Sequence, residues 1–279
     1  MSDPEVVQDM FVAKNKFVTK TKDNAEYFDI FFTNMFAMMP SNETWKLHRK
    51  TCSPMFYKNK LTMMGKVFKE HLTIATSKWR KEVEANGETR ILLSEEFERI
   101  YAHTINHICF GQDLNDDKFD WLWFDIEKDT FVEKKVSLRL AMQNMAKITD
   151  TFYWKKLANP VSAIAKLLFK MDLEIGPFFK SAHENSRRLQ AHLKRYVTDR
   201  KSGVTKSQME GMDLLSAFLE NQDVFSDDAI VNGIKGIIFA AIETTNFSSQ
   251  TLHSTFAQRD DIVQKVRKEF DDNVRKPVI

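Results

Sequence analysis

An acid followed by two threonines interrupts an apolar run: Phe239, Ala240, Ala241, Ile242, Glu243, Thr244, Thr245. Threonine loses rotamer freedom inside a helix and competes with the backbone for hydrogen bonds, so this pairing is unusual in a helix interior. The preceding residues, 230–238, are mostly Ile, Val and Gly, and the turn is therefore expected to face the interior. A carboxylate there needs partners. Beside an alcohol, and with two alanines leaving room for a flat ligand, it reads as a proton-handling site. Thr244 Oγ is expected to loosen the bond to the Ala240 carbonyl and admit a water. A salt-bridged Glu and a Thr bonded back to a carbonyl would fit the same residues.

Trp45 and Arg49 are four apart and so share one helix face. Indole N–H and guanidinium are both donors, and together they suit an anionic group such as a carboxylate. Lys46, His48, Lys50, Lys58 and Lys60 make this region strongly basic. The alternative is a Trp packed into the core beside a solvated Arg. His103 and His107 are spaced for two metal ligands on a helix, but no third ligand is evident in sequence, so no metal site is expected there. The two cysteines, Cys52 and Cys109, lack both metal-ligand spacing and a His-containing triad pattern. There is no phosphate loop and no dinucleotide fingerprint. Sequons at Asn42 and Asn246 fall in predicted helices and are taken as chance.

The elements that must position these residues are helices. Gly 8 and Pro 6 in 279 residues leave few turns, while 43% hydrophobic content supports a substantial core. The charge is nearly balanced, 41 basic against 39 acidic, which argues against a nucleic-acid partner. No apolar run approaches the length of a membrane span. Asp3 or Ser2 caps a first helix. Ser41 is expected to cap the helix of Trp45 and Arg49, and residues 61–85 follow as a helix. Residues 89–93 read as a short strand. Another helix runs from Ser94 to about Cys109, where Gly111 stops it. Residues 119–152 read as helical. Residues 153–179 are apolar with interspersed lysines; Ile164, Leu167, Leu168 and Met171 form one face. Ser226 caps the helix of the opening motif, with Asp227 and Asp228 in its first turn.

In order and spacing these pieces resemble one family. Trp45, Lys46, Leu47, His48, Arg49 and Lys50, with Pro54 and Phe56, resemble the C helix of the cytochrome P450 monooxygenases. Phe239 to Thr245 resembles their I-helix signature. Asp213, Leu214, Leu215, and then Phe225, Ser226, Asp227 and Asp228, resemble the approach to it. Gln264, Lys265, Arg267, Lys268 and Glu269 resemble the J helix, and residues 3–17 the B helix. The resemblance covers nearly the whole chain, although residues 119–200 match only in helical character.

The resemblance implies a mainly α fold, with residues 1–279 forming one partial cytochrome P450 domain. Its C helix would span about 42–55, its I helix 227–257 and its J helix 260–272. It implies that Trp45 and Arg49 donate to a propionate of haem, that Ala240 and Ala241 line its distal face, and that Glu243 and Thr244 pass protons to iron-bound dioxygen. The partners implied are O2, a small apolar organic substrate, and an NADPH-dependent reductase docking on the basic C-helix region. A peripheral membrane contact through residues 153–179 is implied too, at the cytosolic face of the endoplasmic reticulum. Substrate choice would depend on residues 28–39 and that same segment.

Two departures stand out. Ala241 replaces the usual Gly of the signature. More severely, the family's Glu-x-x-Arg of the K helix and its Phe-x-x-Gly-x-x-x-Cys-x-Gly loop are absent, and neither Cys52 nor Cys109 has that context. Thiolate donation favours O–O cleavage in these enzymes. The fold is therefore expected to be incomplete, without N-terminal anchor, K helix or cysteine loop, and the 279 residues alone inactive. The rival expectation is a non-catalytic, all-helical binding protein.

Overall fold

A computed structural model describes residues 3–14, 29–32, 35, 39–114, 116–161, 164, 168 and 174–273. Residues 15–17 of the expected B helix, residues 28, 33–34 and 36–38 of the Phe-rich stretch, and residues 162–163, 165–167 and 169–173 lie outside them. The described chain is mainly helical with one two-stranded sheet. Its helices are α1 (Pro4–Gln8, continued by a π turn, Asp9–Ala13), α2 (Asp29–Phe32), α3 (Glu43–Cys52, followed by a 3₁₀ turn, Ser53–Phe56), α4 (Lys58–Asn86) and α5 (Leu93–Phe110). The hairpin β1 (Lys118–Asp125) and β2 (Thr130–Ser137) follows, then α6 (Leu138–Ala158), α7 (Pro177–Lys201), α8 (Leu214–Leu219), α9 (Asp227–Gln258) and α10 (Asp260–Asn273).

The spine is α9, 32 residues long. Ser226 caps it, accepting from the Ala229 N–H at 3.2 Å. Asp227 and Asp228 complement the dipole and also receive Lys201 and Lys194 of α7, each at 3.0 Å. Ile230, Ile234, Ile238, Ile242 and Asn246 recur every four residues and are all buried. Against this stripe lies α5: the Asn246 amide donates to the Ser94 carbonyl at 3.1 Å, and Tyr101 and Ser249 share a hydroxyl hydrogen bond at 2.5 Å. Lys235 of α9 is buried as well, donating to Gln190 of α7 at 3.2 Å, and burial pushes its ammonium down to about 8.

The first half of the expected 119–152 helix is instead the hairpin, in the register Phe124↔Phe131 and Trp121↔Lys134. Trp121 and Phe124 are three apart and mimic a helical stripe, which misleads a periodicity reading. The segment is nonetheless dense in aromatic and β-branched residues, which suit a pleated surface. Asp125 also accepts from the N–H groups of Glu127 and Lys128, each at 3.2 Å, closing the turn.

Two buried asparagines then serve β1 as a third strand would. Asn144 of α6 accepts from Phe124 N–H (2.9 Å) and donates to Phe124 C=O (2.9 Å), and it also accepts from Trp121 Nε1 (3.0 Å). Asn185 of α7 does the same for Leu122, at 2.8 and 2.7 Å. Residues 89–93 form no strand; they lead into α5, whose N-cap is Leu92. The cap of α3 is Asn42 rather than Ser41, because its side chain reaches the Trp45 N–H at 2.9 Å.

The Asn144 network yields a stability prediction. Asn144→Ala leaves an indole N–H and both backbone groups of Phe124 buried without partners, and should cost roughly 3–5 kcal/mol in denaturant unfolding. Asp120→Ala, on the exposed side of β1, should stay within about 0.5 kcal/mol.

Candidate active site on α3 and α9

α3 forms where Asn42 caps and Glu43 complements the first turn, with Lys46 bonded to Glu43 at 2.6 Å. Trp45 and Arg49 do share a face: the guanidinium carbon lies 5.8 Å from the indole centroid, within cation–π range. Arg49 is exposed and, among the described residues, makes no ion pair. His48 turns the other way and packs on Phe225, ring centroids 4.6 Å apart. That contact ties α3 to the residue preceding the N-cap of α9. Lys46, Lys50 and Lys58 remain exposed on the same region.

On α9 the signature faces opposite to the expected direction. Since the Ile230 to Asn246 stripe takes the core, Ala240, Glu243, Thr244 and Phe247 fall on the opposite face and are exposed. Ala241 sits on the flank, partly buried. The structure thus brings Ala240, Glu243 and Thr244 together on one surface of one helix and holds Trp45 and Arg49 on another.

Thr244 Oγ1 donates to the Ala240 carbonyl at 2.7 Å. Ser248 bonds back to Thr244 at 2.8 Å and Thr251 to Phe247 at 3.0 Å in the same way. An oxygen that already accepts a hydroxyl is the place where an α-helical bond loosens. Glu243 reaches solvent, yet partial burial of its carboxyl raises it above the usual carboxylate range, and the like charge of Glu98 raises it further.

Glu98 of α5 is buried and held by Arg139 at 3.0 Å and Gln143 at 3.4 Å. Sequence reading missed it, because only the packing of α5 on α9 reveals that this acid acts on Glu243.

On α3 the indole and guanidinium are donors that suit an anionic group such as a carboxylate. The separate α9 surface carries Ala240 beside a hydroxyl, a protonatable acid and the exposed Phe247. Sulfur is a different matter. Cys52 and Cys109 are both buried, burial pushes the Cys52 thiol up to about 11, and the Cys109 thiol is raised by burial and by Asp213. Neither presents a thiolate.

The cytochrome P450 family model matches residues 1–277. The chain belongs to the cytochrome P450 family. It is similar to Cytochrome P450 734A1 of Arabidopsis thaliana, 24% identical over 116 residues that make up 42% of this chain and 22% of that protein. It is also similar to Beta-amyrin 6-beta-monooxygenase of Solanum lycopersicum, 25% identical over 157 residues, 54% of this chain and 33% of that protein. The chain thus matches about a fifth to a third of the length of these relatives. No helix among the described residues is long and apolar enough to cross a membrane.

The raised Glu243 carboxyl has a signed consequence. An acid whose folded value lies above its unfolded one binds its proton more tightly when folded, so stability falls as pH rises through that interval. Glu243→Gln should therefore raise the thermal midpoint at pH 7, and the gain should vanish below about pH 4.5, the ordinary glutamic value. Adding Glu98→Gln should shrink it. Thermal unfolding of the variants between pH 4 and 8 checks all three.

Proposed function

We propose that this chain carries the distal, proton-handling part of a haem-dependent monooxygenase that inserts one atom of O2 into a small apolar organic substrate. The observation that supports it most is the exposed α9 surface of Ala240, Glu243 and Thr244, in a chain whose family is shown. Trp45 and Arg49 would hold a haem propionate, and Ala240 with Ala241 would border the distal side. Haem, when bound, supplies the iron at which dioxygen is reduced. The Thr244 hydroxyl, now turned to the Ala240 carbonyl, would rotate to hold a water beside Glu243. Glu243 would deliver the proton, which burial and the like charge of Glu98 make it hold more tightly.

The exposed Lys46, Lys50 and Lys58 suit an acidic, NADPH-dependent reductase, which they would steer electrostatically. A peripheral membrane contact is supported by Trp154, Leu157, Val161, Ile164 and Leu168, and family resemblance would put it at the cytosolic face of the endoplasmic reticulum. All five are exposed, at alternating spacings of three and four. With both thiols buried, these 279 residues by themselves are proposed not to ligate haem iron through sulfur, and hence not to turn over.

A reduced-CO difference spectrum of the 279-residue chain should show no thiolate-type Soret band; such a band would overturn the inactivity. In a protein that joins these residues to the family's cysteine loop, Trp45→Ala and Arg49→Ala should each lower bound haem. Thr244→Ala should keep haem and lower turnover, by roughly 10²-fold or more if proton delivery is limiting. Unchanged haem content and turnover in all three would favour the non-catalytic binding protein.

A further inference from the structure

Three of the seven histidines converge away from α9. His71 lies on α4, His103 and His107 lie one turn apart on α5, and Asp113 follows the Gly111 turn that ends α5. His103 Nδ1 is 2.5 Å from Asp113 Oδ2, and His107 Nδ1 is 3.4 Å from His71 Nε2. The His71 ring centroid is 5.6 Å from those of both His103 and His107. One ligand atom each from His71, His103 and Asp113 falls within 4.8 Å of the other two.

We propose that His71, His103 and Asp113, with His107 hydrogen-bonded to His71 beside them, form a binding site for a divalent transition metal of the zinc class. The site stands apart from the α3–α9 surface and does not rest on the monooxygenase reading.

Donor chemistry and geometry both support it. Imidazole and carboxylate are the borderline ligands that Zn²⁺ takes in tetrahedral sites, at about 2.0–2.2 Å. Ligand atoms at that bond length are about 3.4 Å apart along a tetrahedral edge, and those of His71, His103 and Asp113 already lie within 4.8 Å of one another. An ion would take the place of the hydrogen bond between His103 and Asp113 and draw the three ligand atoms, now within 4.8 Å of one another, onto one centre. The backbones are already fixed, because Ala75 of α4 packs with Phe97 and Ile100 of α5, flanked by Phe68, Leu72 and Tyr101. Side-chain exposures of 26% for His103 and 35% for Asp113 leave a path for the ion and room for a water ligand. The bound metal would clamp α4 to α5 and to the turn beyond it.

The purified chain should bind Zn²⁺ saturably in calorimetry, and Co²⁺ in its place should give the visible ligand-field bands of a four-coordinate site. Zn²⁺ should also raise the thermal midpoint. Loss of groups that merely support ligands weakens metal sites about 10–100-fold, so His71→Gln or His103→Gln should weaken binding by roughly 100-fold. His253→Gln, on the exposed side of α9, should leave it unchanged. Asp113→Asn, at a solvent-facing position, serves if a histidine variant loses its circular dichroism, and should weaken binding likewise. Absence of saturable binding, or equal affinity in wild type, Asp113→Asn and the His71 and His103 variants, would overturn the site.

Discussion

The 3.6-residue period of α9 governs what this molecule can do. One stripe, Ile230 through Asn246, is committed to the core against α5. The surface turned away from it is therefore fixed by geometry to carry Ala240, Glu243, Thr244 and Phe247. An apolar stripe of that length resists rotation about the helix axis, since turning α9 by one residue would expose isoleucines worth about 1.5–3 kcal/mol each. The positions of Ala240, Glu243 and Thr244 are consequently set by side chains on the other side of the helix. Glu98 extends this logic: buried by the same packing, and neutralised in part by Arg139, it still raises the proton affinity of Glu243 from the neighbouring helix.

The ends of the scaffold are secured by polar groups rather than by more apolar surface. Asp213 caps α8 through the Ser216 N–H at 2.9 Å and pairs with Arg200 of α7 at 3.4 Å; Arg200 also donates to the Phe110 carbonyl at the end of α5. Gly111 lies in this junction with φ +66, where a Cβ would stand 2.9 Å from Asp213 Oδ2. Three helix ends thus meet on one buried carboxylate. Buried ion pairs add little net stability against an apolar replacement, but removing one partner is severe. The arrangement therefore specifies where α5, α7 and α8 meet more than it strengthens their contact.

Most of the helical framework was legible because it is written in local terms. Asp3, Asp213 and Ser226 each cap a helix with their side chains, and Gly111 ends α5 in the left-handed conformation. The candidate residues were legible for the same reason, as types at helical spacing. What sequence did not carry was direction. Residues 230–238 are apolar and mostly buried, which suggests that the next turn faces inward too, whereas in 239–245 only Ile242 is fully buried. The hairpin was hidden by Trp121 and Phe124, whose spacing looks helical until Asn144 and Asn185 are seen to satisfy the open edge of β1. His71 and Asp113 were likewise illegible as companions of His103, since only the packing of α4 on α5 brings them near.

The placement of glycine and alanine along α9 follows from the same close packing. At Gly233 a Cβ would stand 3.1 Å from the Phe218 ring, and at Gly236 it would collide with the Met35 thioether, 1.8 Å from the sulfur. In both places a neighbour from another element occupies the space a side chain would need. At Ala241 the helix instead has the residue of highest helix propensity where the family signature has glycine, a gain of about 1 kcal/mol in helix stability. That substitution adds one methyl on the flank of the exposed surface that carries Ala240, Glu243 and Thr244. α9 thus keeps glycine where packing against its own fold demands it. On the flank of its exposed surface it tolerates a methyl group, which stiffens the turn carrying Thr244.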